Sequence, residues 1–279
     1  MDSALVRRRS ALPGLGLTLG FALTYLSLVV LIPLGALLVR AFGMPLADLV
    51  EVATSGRVAR ALLLSFGAAA GAAVINLIIG PVIAWVLVRY SFPGKRLLDA
   101  VVDLPFALPT AVAGIALASL FDRGGWFGRL LEPLGIQVAY TPAGIIVALV
   151  FIGLPFVVRT VQPVIEEVDR DVEEAAATLG AGRTQTIGRV ILPILVPAAL
   201  TGFVLALARG IGEYGSVIFI AGNIPNRTEI APLLIVIKLE EFDYPGAMAI
   251  AVIMLLISFA LLLAVNLLQG WARRRLGET

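Results

Sequence analysis

Six long apolar runs leave this chain few architectures other than a bundle of membrane-crossing helices, because hydrocarbon offers no partner to an unpaired backbone N–H or C=O. The runs lie at about 14–39, 61–88, 102–121, 141–161, 246–268 and from near Pro193 toward Asn223. Of 279 residues, 59% are hydrophobic and 14% charged, a balance too apolar for a soluble domain. The chain has no Cys and no His, which excludes disulfides, thiolate chemistry, imidazole metal sites and Ser-His catalysis. Its net charge of +2, with basic residues scattered at span ends, gives no footprint for nucleic acid. The expectation is an all-α integral membrane protein with about six transmembrane helices, no catalytic residue and no metal site.

Basic residues set the orientation. Arg7–Arg9, the Arg89–Arg96 connection, the Arg159–Arg189 stretch and Arg273–Arg275 together hold 13 of the 21 Lys and Arg, all on one side of a six-span topology. The positive-inside rule makes that side cytoplasmic, with both termini on it. The first run is too long for a signal-peptide core and reads as an uncleaved span. The expected organisation is a tail over 1–13, a first span and external connection over 14–60, the main transmembrane domain over 61–268 with a cytoplasmic loop at about 164–193, and a tail over 269–279.

Within the spans, Gly67-Ala-Ala-Ala-Gly71 is a small-residue face, read as packing inside one bundle in preference to a subunit interface. Asn76 should face protein or a pore. Pro105 and Pro109 remove two backbone donors near the start of the third run, so its first turns should be broken or kinked. That makes Pro105, Pro109 and Thr110 candidate pathway residues. Arg209 and Glu213, four apart in the fifth run, should be neighbours on a helix, either as a neutralising pair or as part of a gate beside Gly210, Gly212 and Gly215.

The polar stretch Glu166–Pro193 interrupts this apolar pattern. Six acids precede Arg183 and Arg189, so the segment belongs in water. Asp171 and Glu174 have capping-box spacing, and Gly180 supplies a left-handed stop, which predicts a short helix between them. Val172, Ala175, Ala176 and Leu179 then share one narrow, mostly methyl face suited to a groove on another protein.

Glu174, Ala175, Ala176, Gly180, Leu192 and Pro193 match in order and spacing the E-A-A-x-x-x-G-x9-I-x-L-P loop of ATP-binding-cassette (ABC) importer permeases, with Val190 where that pattern has Ile. Leu97–Phe121, Pro155–Glu167, Arg209–Asn223 and Glu241–Pro245 extend the resemblance to the permeases of bacterial sulfate/thiosulfate ABC importers, from about Pro13 to Gln269. The Asp103-Leu-Pro105 and Gly212-Glu-Tyr-Gly215 elements also resemble molybdate and tungstate permeases.

The resemblance implies a type I ABC importer permease fold in the inner membrane, moving sulfate or thiosulfate inward. The loop would be the coupling helix. The implied partners are a second homologous permease, two ATPase subunits and a periplasmic sulfate-binding protein. ATP and Mg would reside on the ATPase, with no cofactor bound by this chain. In agreement, Lys95 is the only Lys preceded by Gly, and Arg96 follows it where a phosphate-binding loop needs Ser or Thr. An ion-coupled secondary transporter is the rival of a different class, but only Glu213 offers an intramembrane acid for coupling.

Overall fold

The computed structural model describes residues 15–275, and all secondary structure among them is helical. Arg7–Arg9 and the expected tail over 1–13 lie outside the described residues. The chain divides into two compact units, 1–49 and 50–279.

In the first unit α1 (Leu15–Leu26) runs through a wider turn, Ser27–Leu31, into α2 (Ile32–Phe42). Pro33 explains the wider turn: its ring clashes with the carbonyl four residues back, and one added residue relieves the clash. The stretch Leu15–Arg40 is long and apolar enough to cross a membrane, and most of its large side chains, from Leu15 to Leu34, are exposed. The stretch expected as an external connection holds a short helix, α3 (Leu46–Thr54).

The second unit is built on α4 (Gly56–Arg89), α8 (Pro142–Glu167) and α11 (Leu192–Ile211), which pack against one another. Small residues let their backbones approach. A Cβ on Gly80 would stand 2.6 Å from Val157 Cγ1, and one on Gly202 would stand 2.7 Å from Val157 Cα, so this crossing tolerates no added methyl. On α4 the packed residues are Ala68, Ala69, Ala72 and Ala73. Gly67 and Gly71 instead have open space where a Cβ would go, so the expected bundle contact falls on their alanine neighbours. Asn76 faces protein, as its polarity requires: it is fully buried, and its amide donates to the Val150 carbonyl at 3.1 Å.

Between α4 and α8 lie α5 (Lys95–Ala107), α6 (Thr110–Phe121) and α7 (Trp126–Leu131). The break expected in the first turns of the third run is present, but it falls between two helices. Its helix starts at Lys95 and continues past Pro105, and the chain bends by 119° between Ala107 and Thr110. Only Pro109 breaks it, because proline drives the preceding Leu108 into extended backbone, φ −87° and ψ 136°. The segment 122–140 holds α7 and a single tight turn at Glu132–Leu134.

After α8 come α9 (Arg170–Thr178) and α10 (Arg183–Thr186), then a wide turn at Ile187–Ile191 ahead of Pro193, the same arrangement seen before Pro33. The fifth run ends at Ile211, and a separate α12 (Gly215–Ala221) follows. Finally α13 (Ala231–Glu240) precedes α14 (Tyr244–Arg275), so the expected tail from 269 is helical through Arg275. Among the described residues, five helices are long and apolar enough to cross a membrane, or six if the bent α5/α6 pair counts as one span.

Candidate functional site

The loop after α8 folds as one helix with a defined stop. Asp169, not Asp171, occupies the position before the helix, and its side chain makes no capping bond there. Asp171 and Glu173 instead fall in the first turn, where their charge suits the positive end of the helix dipole. At the other end Gly180 has φ +83°, which a residue with a side chain adopts only under strain. Its N–H donates to the Ala177 carbonyl and that of Ala181 to the Ala176 carbonyl, both at 3.0 Å, pairing two carbonyls a helix end otherwise orphans.

The predicted face of α9 divides. Val172, Ala175 and Leu179 are open, Leu179 at 88% exposure, whereas Ala176 is 9% exposed and turned toward its own chain. Spacing determines which residues share a face, but not where the body of the bundle cuts across it. Glu174 is exposed and lines a groove of about 490 Å³ between α9 and the end of α4, beside Ala177, Arg183 and Trp85. Leu192 and Pro193 are exposed at the start of α11, past the wide turn.

Arg89 went unnoticed in the sequence because it reads as one more basic residue at a span end. In the structure it is 13% exposed and meets three elements. Its Nη2 donates to the carbonyl of Val168, which ends α8, at 2.7 Å. The same nitrogen lies 3.1 Å from Glu173 Oε1 on α9, and the guanidinium stacks 5.3 Å from the Trp85 ring centre. One residue on, the Tyr90 hydroxyl accepts a bond from Arg183 at 3.2 Å.

A second unforeseen cluster joins α5 to α8. Arg159 uses all its donors: Nε to Asp103 Oδ1 at 2.8 Å, Nη1 to Asp99 Oδ1 at 2.7 Å and Gln162 Oε1 at 2.5 Å, and Nη2 to Asp103 Oδ2 at 2.6 Å and the Asp99 carbonyl at 3.1 Å. The four-residue spacing of Asp99 and Asp103 was the available signal, since it puts both acids on one helix face.

The pathway candidates converge in part. Arg209 and Glu213 form an ion pair, but not along one helix: α11 stops at Ile211, and Glu213 lies in the break before α12. Glu213 is 3% exposed, and its Oε1 accepts from the Ser216 N–H at 3.0 Å and hydroxyl at 3.1 Å. Its charge is thus met from both sides, which lowers the cost of burying it. Thr110, at the first turn of α6, stands against Gly215 at the first turn of α12, and Gly114 lets α6 cross α12 at Ser216 with no space for a Cβ. Pro109 sits at the α5/α6 bend, while Pro105 lies inside α5.

The chain is similar to known proteins along nearly its whole length. The family profile for "Binding-protein-dependent transport system inner membrane component" matches residues 76–278. The sulfate transport system permease protein CysT of Salmonella typhimurium is 49% identical over 270 residues, 97% of this chain and 98% of that protein. The Synechocystis protein of the same name is 48% identical over 90% of this chain and 87% of its own. Among solved structures, a bacterial ABC transporter involved in import of the acidic polysaccharide alginate superposes with a TM-score of 0.75 at 17% identity, covering 93% of this chain and 95% of that one. At that identity the likeness carries the fold: that of a type I ABC importer permease. With the loop helix, the broken spans and the profile over most of its length, the chain belongs to the family of inner membrane components of binding-protein-dependent transport systems.

Proposed function

We propose that this chain is the membrane-spanning permease subunit of an ATP-driven importer that carries sulfate, and with it thiosulfate, into the cytoplasm. The observation that carries the substrate is the 49% identity to a sulfate permease over almost the full length of both chains. The exposed face of α9, Val172, Ala175 and Leu179 with Glu174 beside it, docks into an ATPase subunit, which holds ATP and Mg. A second homologous permease completes the pore, a second ATPase subunit sits beneath that permease, and a periplasmic sulfate-binding protein delivers substrate from the opposite side. The positive-inside pattern supports cytoplasmic termini and a cytoplasmic α9.

Closure of the ATPase pair on ATP would displace α9 and switch the bundle between inward and outward openings. The break at Gly212–Tyr214, with Arg209 and Glu213 across it and Thr110 of α6 against it, is where the bundle can change shape without unwinding a span. Backbone and hydroxyl donors suit passage of a dianion better than a fixed deep charge, which would slow its release.

Proteoliposomes holding both permeases and the ATPase, supplied with the binding protein, test this reading. Sulfate uptake should require ATP and be competed by thiosulfate at concentrations where molybdate has little effect. Equal displacement by molybdate would transfer the assignment to a molybdate or tungstate importer, and uptake driven by an ion gradient without ATP would make it a secondary transporter. In the same vesicles, Glu213→Gln should leave assembly intact and slow uptake. Normal uptake would remove the pair from the gate.

A further inference from the structure

We infer that the end of α4, Arg89 with Tyr90, is the clamp that passes displacement of α9 into the membrane-spanning bundle. This rests on the reading of α9 as the ATPase-docking helix and adds where its motion goes.

Covalently, α9 hangs from α8 through Val168 and Asp169, a two-residue joint in extended backbone at both positions. Such a joint bends before it transmits force. Side-chain ties must carry the load, and those to Arg89 and Tyr90 lead to one place. Arg89 grips the Val168 carbonyl at the joint and faces Glu173 on α9, while Tyr90 receives Arg183 from the segment beyond α9. Both flanks of the loop helix are thereby held by the last residue of α4 and the one that follows it.

The two grips of Arg89 differ in kind. Its bond to Val168 is short and aligned at 2.7 Å, as befits a charged donor on an orphan helix-end carbonyl. The Glu173 contact, at 3.1 Å, is a charge contact without hydrogen-bond alignment. One grip is a fixed pivot, and the other can slide while keeping its Coulomb attraction. Stacking on Trp85 one turn back holds the guanidinium plane. The groove of about 490 Å³ beside this contact leaves α9 space to rock about the pivot.

Beyond the clamp the load meets a stiff body. α4 is a single helix of 34 residues. It is joined to α8 at Gly80–Val157 and Asn76–Val150, and to α11 where Ala69 meets Gly210, one residue from Arg209. At these crossings there is no slack to absorb movement, so a push at Arg89 reaches the Arg209–Glu213 break as displacement of the whole slab.

The test uses the assembled transporter in proteoliposomes. Arg89→Gln should keep the ATPase bound in its wild-type ratio, while the rise in ATP hydrolysis caused by substrate-loaded binding protein falls about tenfold, the size expected for loss of one charge-assisted hydrogen bond. Glu173→Gln should act in the same direction with a smaller loss, and the double variant should lose no more than Arg89→Gln alone, because Arg89→Gln already removes the grip on Glu173. Tyr90→Phe, which deletes only a hydroxyl, repeats the test with a smaller loss if Arg89→Gln does not accumulate. Wild-type stimulation in Arg89→Gln, strictly additive losses in the double variant, or loss of the ATPase from Arg89→Gln would each overturn the clamp. The docking reading is checked apart from it: if Leu179→Asp keeps its ATPase and transports normally, that reading fails whatever Arg89 does.

Discussion

Where α4 begins and α14 starts, the connections are pinned by charge and hold several residues in left-handed backbone. Where α4 ends and α9 follows α8, a helix stands with its apolar face open. At the first end Arg57 forks onto Glu229, at 2.9 and 2.6 Å, and Lys238 meets Glu241 at 3.1 Å and Asp243 at 3.0 Å. Among the described residues, every non-glycine with positive φ is at this end: Tyr140, Asn223, Asn226 and Phe242. Phe242 is a bulky residue in a region such side chains rarely enter, so the Lys238 contacts on either side of it must hold the turn. At the other end Leu179 is almost fully exposed, and the ties converge on Arg89 and Tyr90. One end is closed by contacts within this chain, and the other leaves an apolar face open, as the proposed ATPase docking requires.

The largest expected effect probes the open end. Leu179→Asp puts a charge where an apolar side chain should enter a groove, and burying an unpaired charge costs several kcal/mol, so uptake should fall at least about a hundredfold. Because Leu179 is exposed here, the permease itself should melt within about a degree of wild type. A clear loss of thermal stability would show that this face is packed in the permease and would break the contrast between the ends.

Arg57→Ala inverts that pattern. It strands Glu229, which is 3% exposed, and should cost about 1–3 kcal/mol, the lower part of the range applying because Arg57 is itself 41% exposed and Glu229 can protonate. Thermal unfolding of the purified permease should shift downward, while copurification of the ATPase stays intact. Unchanged melting would mean that the fork is ornamental and that the far end is held by packing alone.

Much of this was legible in the sequence, for reasons that differ by residue. Gly180 could be placed because a left-handed helix stop is a local demand of the backbone. Asn76 was placed because hydrocarbon will not accept its amide. The Arg209–Glu213 pair was visible as a spacing of four, yet the end of α11 between them was not: an apolar run punctuated by glycines reads the same whether it is one helix or two. Pro105 and Pro109 look equivalent in the sequence, and only the surrounding packing decides that the chain bends at the second. The spacing of Asp99 and Asp103 puts two acids on one helix face, but their partner Arg159, like the partner of Arg89, Glu173, is distant in the chain, so no local pattern could name either pairing. Ala176 lies between these cases, on the predicted face but on the wrong side of its boundary.

The smallest expected effect concerns pH at the closed end. Arg57, donating to Glu229, holds its carboxyl below the ordinary range, and the backbone N–H of Gly246 with Lys238 does the same for Asp243. For both, the folded state binds its proton less readily than the unfolded chain, so their contribution is complete above the unfolded values, about 4.3 for Glu and 3.9 for Asp, and is lost as pH falls through the lower folded values. Lys238 is raised by Asp243 and Glu241, so its contribution is complete below about 10.4 and is lost as pH rises through the higher folded value. The connection over 222–243 should therefore show constant protection from about pH 5 to pH 10 and loosen on either side. Hydrogen exchange of that segment, corrected for the intrinsic pH dependence of the chemistry, measures this. The acid-side loss should disappear in Arg57→Ala for the part of the segment around Glu229 and persist around Asp243, whose donors remain. Protection that stays flat down to about pH 3 in the wild type would show that these carboxylates do not hold the loops, and the two ends would then differ in packing and not in charge.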